Sequence, residues 1–487
     1  MRTGLFLIYF IALCFSTVSA QNITEALYES YETYKENNLE KRRIKHQELQ
    51  PLIDNFRGNA KFIVQKVGES IEGRDLNLIS IGSGKTNIFL WSQMHGNEPT
   101  ATQAIFDILN FLDSNDFGKE KKTILDNLTL HFLPMLNPDG AEVFQRRNAL
   151  GVDINRDALR LQSPESRTLK RVRDSLDAAF GFNLHDQSTY YNAERTEKPA
   201  SISYLATAYN YEKDINEVRA NAMKVIVFMN KIIQNYAPGQ VGRYNDGFEP
   251  RAFGDNIAKW GTSLILIESG GYANDVEKQE IRKLNYVSIL SALYTIANKS
   301  YESIPIEEYE KIPRNDRNLF DLKIENVTYE LLGKEYILDL GINRQEIDLK
   351  GHNQFYYKSI IVDQGDLSTY YGYETFNGTG YKIVPPKMMN ANMQNTNFSN
   401  TVELLKSAIA YLKIPLPQEG FAIKKPFHLV DSNFKLPSEF RVLTGVNPTF
   451  FLEKEGVLTH AIINGFLIDL NKSIQNQGFG NGLIYRD

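Results

Sequence analysis

The sequence predicts an α/β protein, with a mixed, mostly parallel twisted sheet covered by helices on both faces and a smaller β-rich C-terminal domain after it. Three observations carry this expectation. From residue 61 to about 298, short apolar runs alternate with longer amphipathic stretches, the pattern of strands and crossover helices in a sheet buried on both sides. A charged stretch with two prolines, KSYESIPIEEYEKIPRNDRN, then interrupts the alternation. Beyond it, runs such as VTYELLGKEYILDLGI and YYKSIIVDQGDLSTYYGYETF read as strands.

Element by element, residues 1–20 form a leader. MRTG carries one positive charge, LFLIYFIALCF is apolar, and STVSA ends in small residues, the layout of a secretory signal peptide cleaved after Ala20. Its apolar run falls well short of the ~20 residues a membrane-spanning helix needs. The single cysteine, Cys14, lies within this leader, so disulfides and thiolate chemistry are excluded from the mature chain. Asn22 to about Phe56 is charged and helix-like. KFIVQKVG and LNLISIG then read as strands around an EGRD turn. GSGKT at 82–86 lacks the spacing of a phosphate loop and reads as a hairpin turn.

Next come strand candidates NIFLW (87–91), LTLHFLPML (128–136), FGFNL (180–184) and TSLILI (262–267), with helices expected at about 99–113, 164–178, 213–236 and 276–298. The boundaries that follow are 1–20 for the leader, 21–300 for the α/β domain, 301–318 for a linker and 319–487 for a β-rich accessory domain. One helix, TVELLKSAIAYL (401–412), is expected inside the last part. A formal net charge of −5 argues against a nucleic-acid partner.

Four of the strand runs end in polar clusters: SQMHGNE, NPDG, HDQ and ESGG. Ligands of open α/β sheets bind beyond the carboxyl ends of strands, so neighbouring strands would gather His95, Glu98, His185 and Glu268 in one crevice. Two imidazoles and a carboxylate suit a single catalytic Zn2+ with an open fourth position. His95 and Glu98 are close enough in sequence to chelate together, and Pro99 suits the first turn of a helix behind them. Glu268 remains free to take a proton from a metal-activated water. His46, His131, His352, His428 and His460 have no such setting. Between the second and third clusters, QRRNALGVDINRDALRL carries arginines suited to a carboxylate or an oxyanion.

The ordered motifs GESIEGRDL, HGNE, NPDG, RRNALGVDINR, NLHD and LIESGG, over roughly residues 45–298, resemble the zinc carboxypeptidase family, in a form similar to its bacterial-type members. The resemblance implies that the α/β domain is the catalytic one, with His95, Glu98 and His185 as zinc ligands and Glu268 as general base. Arg146 matches the arginine that polarises the scissile carbonyl, with Arg147 one step away as an alternative. Asn155 and Arg156 match the pair that holds a substrate's C-terminal carboxylate, and Asp153 matches the carboxylate that orients a zinc histidine. Two positions depart from the pattern: Asn97 stands where digestive members carry a substrate-binding arginine, and Tyr244 is a weak counterpart for the tyrosine that closes over substrate.

The function expected is an exported zinc-dependent metallocarboxypeptidase, periplasmic or secreted, acting on peptides or proteins with a free C-terminal carboxylate. No membrane span is expected after the leader is removed. The alternatives keep the zinc site: an amidase, a carboxypeptidase for cell-wall stem peptides, or a peptide-binding protein without turnover.

Overall fold

The computed structural model describes residues 23–391, 401–417, 420–473 and 477–486. It divides between Arg317 and Asn318 into two compact units. The expected leader, 1–20, lies outside the described residues. No helix among those described is long and apolar enough to cross a membrane.

In the first unit the apolar runs become strands because each can bury both of its faces. The strands are β1 (Ile63–Glu69), β2 (Asp75–Gly82), β3 (Thr86–Ser92), β4 (Leu128–Leu133), β5 (Phe180–Asp186), β6 (Asn192–Ala193), β7 (Ile202–Ala206), β8 (Val241–Arg243), β9 (Ser263–Ser269) and β10 (Asn315–Asp316). Eight of them build one mixed sheet in the order β1-β2-β4-β3-β5-β9-β7-β8, while β6 pairs with β10. The centre, β4-β3-β5-β9, is parallel throughout. Along β3 the side chains alternate between two cores. Ile88 and Leu90 join the core under helices Thr100–Asp113, Glu217–Ile233 and Gln279–Ala297, whereas Phe89 and Trp91 join that under helices Pro164–Leu176 and Phe253–Lys259. A two-residue side-chain period with apolar residues on both faces is what a covered parallel sheet demands.

Several expectations are corrected. The charged stretch from Asn22 to Phe56 is not one helix; residues 23–29, Tyr31–Tyr34 and His46–Arg57 are helical, and 35–45 is irregular. A buried ion pair fixes that irregular segment. Arg282 and Asp107, both with fully buried side chains, pair through Arg282 Nε–Asp107 Oδ2 at 2.7 Å and Nη2–Oδ1 at 2.5 Å. The same guanidinium donates to the carbonyls of Leu39 and Glu36, and Asp107 accepts from Glu36 N–H and Tyr31 Oη–H. These side-chain and backbone partners replace the hydrogen bonds a continuous helix would have made.

GSGKT is not a hairpin turn, because β2 and β3 are not neighbours and β4 lies between them. The connection passes tightly over the start of β4. A Cβ on Gly84 would fall within about 2 Å of the Asn127 and Leu128 backbone, so only glycine fits. The stretch 301–318 is not a free linker but belongs to the first unit as far as Arg317. Tyr309 is buried with its hydroxyl on Ala206 N–H, and β10 pairs with β6.

The second unit is β-rich, as the sequence predicts. One sheet runs β13 (Phe355–Gly365), β12 (Lys334–Asp348), β11 (Leu319–Leu331), β15 (Lys382–Val384), β20 (Phe450–Lys454), β21 (Val457–Ile463) and β22 (Phe466–Asp469). A smaller sheet runs β16 (Lys387–Asn390), β17 (Ile409–Lys413), β19 (His428–Val430), β23 (Gly482–Tyr485) and β18 (Ala422–Ile423), and β14 (Tyr371–Asn377) pairs with β11 in the larger one. The helix expected at 401–412 ends at Lys406. The chain turns through Ala408, whose φ is 63°, and Ile409–Lys413 becomes a strand between β16 and β19. Pairing on both sides overrides the local helical spacing.

Because Asp107 would be left as an uncompensated buried charge, Arg282→Met is expected to cost about 3–5 kcal/mol of the first unit's stability. Chemical denaturation checks this, and a change below about 1 kcal/mol would refute the role given to the pair.

Candidate active site

The parallel centre of the sheet brings the four polar clusters to one edge. In register, His185 at the end of β5 lies opposite Glu268 at the end of β9. His95 and Glu98 occupy the turn between β3 and the helix Thr100–Asp113, where Glu98 N–H bonds the His95 carbonyl at 3.1 Å. Pro99 stands at the cap of that helix. The turn packs directly on the NPDG loop, since a Cβ on Gly96 would come within 2.0 Å of the Gly140 backbone. HGNE therefore needs its glycine for this contact, while a Cβ on Gly140 would meet Asn137 Nδ2 and the Arg147 and Gln145 carbonyls within 2.8 Å.

The remaining motifs hold the same edge together. Asp139 of NPDG accepts from Ser70 Oγ at 2.6 Å, Glu72 N–H at 3.1 Å and Arg74 Nη1 at 2.7 Å, which docks the GESIEGRDL loop. Asn137 caps its short helix by accepting from Gly140 N–H at 2.9 Å, and its Nδ2 donates to the Arg146 carbonyl at 3.2 Å. Asn148 Oδ1 accepts from Leu150 and Val152 N–H, folding the RRNALGVDIN loop back on itself. Arg146 and Asp153 are thereby set beside His95.

His95, Glu98 and His185 are buried, and among the described residues they form a cluster whose ligand atoms lie within 4.8 Å of one another. His95 Nδ1 is 2.8 Å from Glu98 Oε1, and His185 Nδ1 is 2.7 Å from Glu98 Oε2. The Nδ1 atoms of the two imidazoles are themselves 3.2 Å apart. On its other side His95 Nε2 meets Asp153 Oδ1 at 3.2 Å, the kind of outer carboxylate contact that orients a ligating imidazole. Two imidazole nitrogens and one carboxylate, converging and buried, fit a zinc ion as donor set.

Electrostatics follow from this crowding. Burial opposes ionisation of Glu98, but the two histidines outweigh it and hold the carboxyl far below its ordinary range. Asp153 is likewise held low against burial, by His95 and Arg146. Burial lowers His185, while His95 is raised because Glu98 and Asp153 outweigh burial. Glu268 is driven the other way: burial first, then the charges of Glu98 and Asp186, raise it well above the usual carboxylate value. A carboxyl with raised proton affinity at the rim of a metal-ligand cluster suits proton transfer.

Arg146 reaches over the cluster, with Nε 3.0 Å from Asp153 Oδ2 and Nη1 3.3 Å from Glu98 Oε1. Arg147, the sequence alternative, instead donates to the Gly151 carbonyl. Asn155 and Arg156 line the same cleft as the cluster, Arg146 and Glu268. Asn155 Oδ1 accepts from Phe253 N–H at 2.8 Å, and the half-exposed Arg156 lies 3.5 Å from Glu249. Tyr244 also lines the cleft; burial and the nearby Glu268 charge raise its phenol. Asn97 is exposed.

The sequence reading did not single out Glu249 or Asp255, which line the cleft together with Arg156. Burial pushes the Asp255 carboxyl up to about 6, and it accepts from Glu249 N–H. Glu249 lies in the loop between β8 and the helix Phe253–Lys259 and Asp255 in the first turn of that helix, and neither has ligand-like spacing to mark it.

The chain is 30% identical over 136 residues to carboxypeptidase 2 of Trichophyton tonsurans, covering 28% of this chain and 24% of that protein. It is 25% identical over 240 residues to human carboxypeptidase D, covering 42% of this chain and 17% of that protein. It thus spans about a quarter or less of the length of these curated relatives. A metallo-carboxypeptidase from Burkholderia cenocepacia superposes with a TM-score of 0.44 at 15% identity, covering 52% of this chain and 69% of that one. Residues 51–230 match the zinc carboxypeptidase family, as the ordered motifs lead one to expect, and that segment holds His95, Glu98, Arg146, Asp153, Asn155, Arg156 and His185, with Glu268 beyond it.

Proposed function

We propose that the chain is an exported zinc carboxypeptidase that hydrolyses the C-terminal peptide bond of peptides or proteins. The observation that carries this reading is that one cleft is lined by the His95–Glu98–His185 cluster, Glu268, Arg146, Asn155 and Arg156. Export rests on the sequence of the 1–20 leader.

Zinc held by His95, Glu98 and His185 would supply Lewis acidity, bringing the pKa of water to about 7 and polarising a carbonyl. Arg156 binds the substrate's free carboxylate, with Asn155 beside it, which places the last peptide bond over the cluster. Glu249 already sits against Arg156, so an incoming carboxylate competes with an internal one. Arg146 donates to the oxygen that gains charge as water adds to the carbonyl. Glu268 accepts the proton of the attacking water and passes it to the nitrogen of the leaving residue as the C–N bond breaks. Asp153 keeps His95 oriented and balances Arg146.

The decisive experiment is mass spectrometry on peptides supplied with free and amidated C-termini. Release of single residues from the free acids alone supports the reading. Cleavage of both forms points to an amidase or endopeptidase, and no cleavage by a zinc-loaded protein points to a cell-wall peptide or to binding without turnover. Arg156→Ala is expected to lower kcat/KM on free-acid peptides about 10- to 100-fold, mostly through KM, for the loss of a charge-assisted pair. Glu268→Gln is expected to lower kcat about 100- to 10,000-fold with zinc content unchanged; turnover near wild type would remove Glu268 from the mechanism. Dialysis against a chelator is expected to abolish activity, with recovery on one equivalent of zinc, measured by elemental analysis alongside the rate.

A further inference from the structure

Three chain ends carry the groups assigned to chemistry, and each offers its next neighbours to one buried ammonium. Lys278, 5% exposed, sends Nζ to the Ser269 carbonyl at 2.9 Å and to Asp186 Oδ2 at 3.1 Å. Asp186 Oδ2 also accepts from Thr100 Oγ1 at 2.6 Å. Asp186 follows His185, Ser269 follows Glu268, and Thr100 stands two residues after Glu98. The network therefore ties the end of β5, the end of β9 and the first turn of the helix Thr100–Asp113 at one point.

Two further features show that this lysine is placed at a cost. Its backbone lies in the left-handed region, with φ at 54°, where a side chain other than glycine is disfavoured. Its ammonium is buried against the equally buried Asp186 carboxylate, where neither charge is tolerated without the other. The mechanism above uses neither Lys278 nor Asp186.

We propose that Lys278 is a positioning residue that sets Glu268 against the His95–Glu98–His185 cluster, acting through Asp186, Thr100 and the Ser269 carbonyl. This rests on the carboxypeptidase reading for what the clamped groups do. Removing the ammonium frees the three ends to move apart, so both the donor set for zinc and the placement of the base relax together.

The test replaces Lys278 with Met, which keeps the stem and removes the donors, and with Arg, which keeps the charge. Full-length proteins are compared for zinc affinity by chelator competition, for the absorption spectrum of the cobalt-loaded form, and for kcat and KM. K278M is expected to weaken zinc binding about 10- to 100-fold, to alter the cobalt bands, and to lower kcat with little change in KM, with partial rescue in K278R. Wild-type zinc affinity and cobalt bands in a folded K278M, whatever its melting temperature, would overturn the proposal. If K278M does not fold, Thr100→Val removes the other donor to Asp186 and is judged by the same affinity and spectrum. A wild-type protein that binds zinc but releases no residue sinks the peptidase reading alone, because affinity and spectrum still decide the role of Lys278.

Discussion

Parallel pairing of β4, β3, β5 and β9 is the constraint on which the site depends. Parallel strands end at the same edge, so a polar group placed after each apolar run arrives beside its counterparts without any long-range sequence signal. Register then sets the finer geometry: with β5 and β9 aligned from Phe180 and Ser263 onward, His185 and Glu268 end up directly across from one another. A slip of one residue in either strand would turn its side chain to the opposite face of the sheet from the other. The two apolar cores that grip the sheet thus fix the position of polar groups they do not touch.

The second organising principle is compensation of charge under burial. The cleft concentrates Glu98, Asp186, Glu249, Asp255 and Glu268, with Asp153 behind His95, and isolated carboxylates would not tolerate such company. Each is answered differently. Glu98 and Asp153 are stabilised as anions by imidazole and guanidinium and Glu249 by Arg251 and Arg156, whereas burial raises Asp186 although Lys278 and Thr100 donate to it. Glu268 and Asp255 are left with raised proton affinity. Neighbouring carboxyls are thereby separated into groups that hold charge and groups that exchange protons.

Much of this was legible in the sequence, for identifiable reasons. NIFLW, FGFNL and TSLILI are apolar on both faces and short, which marks them as central strands, and the polar residues that follow them are conspicuous. Strand order was not legible, because a period of two says nothing about which strand lies alongside; hence GSGKT read as a hairpin although β4 intervenes. The segment 401–412 shows helical spacing of Val402, Leu405 and Ala408, yet pairing with two neighbours draws its second half into a strand. Glu249 belongs to a loop and Asp255 to the first turn of the helix that follows it, and their spacing carries no chemical pattern. Residues 301–317 are dense in charge and proline, the features of a connector, and only the burial of Tyr309 and the pairing of Asn315 reveal them as part of the first unit.

That last feature bears on where the chain can be cut. Asn315 Nδ2 donates to Gln187 Oε1 at 2.7 Å and its Oδ1 accepts from Ser203 Oγ at 2.8 Å. Gln187 lies two residues beyond His185, and Ser203 sits in register with Glu268. A fragment ending at residue 300, where the helical alternation stops, would strip a strand from β6 and remove the amide that Gln187 Oε1 accepts from. A fragment ending at Arg317 keeps both bonds together with the β6–β10 pairing and the buried Tyr309, so the reach of the first unit is set well past its last long helix.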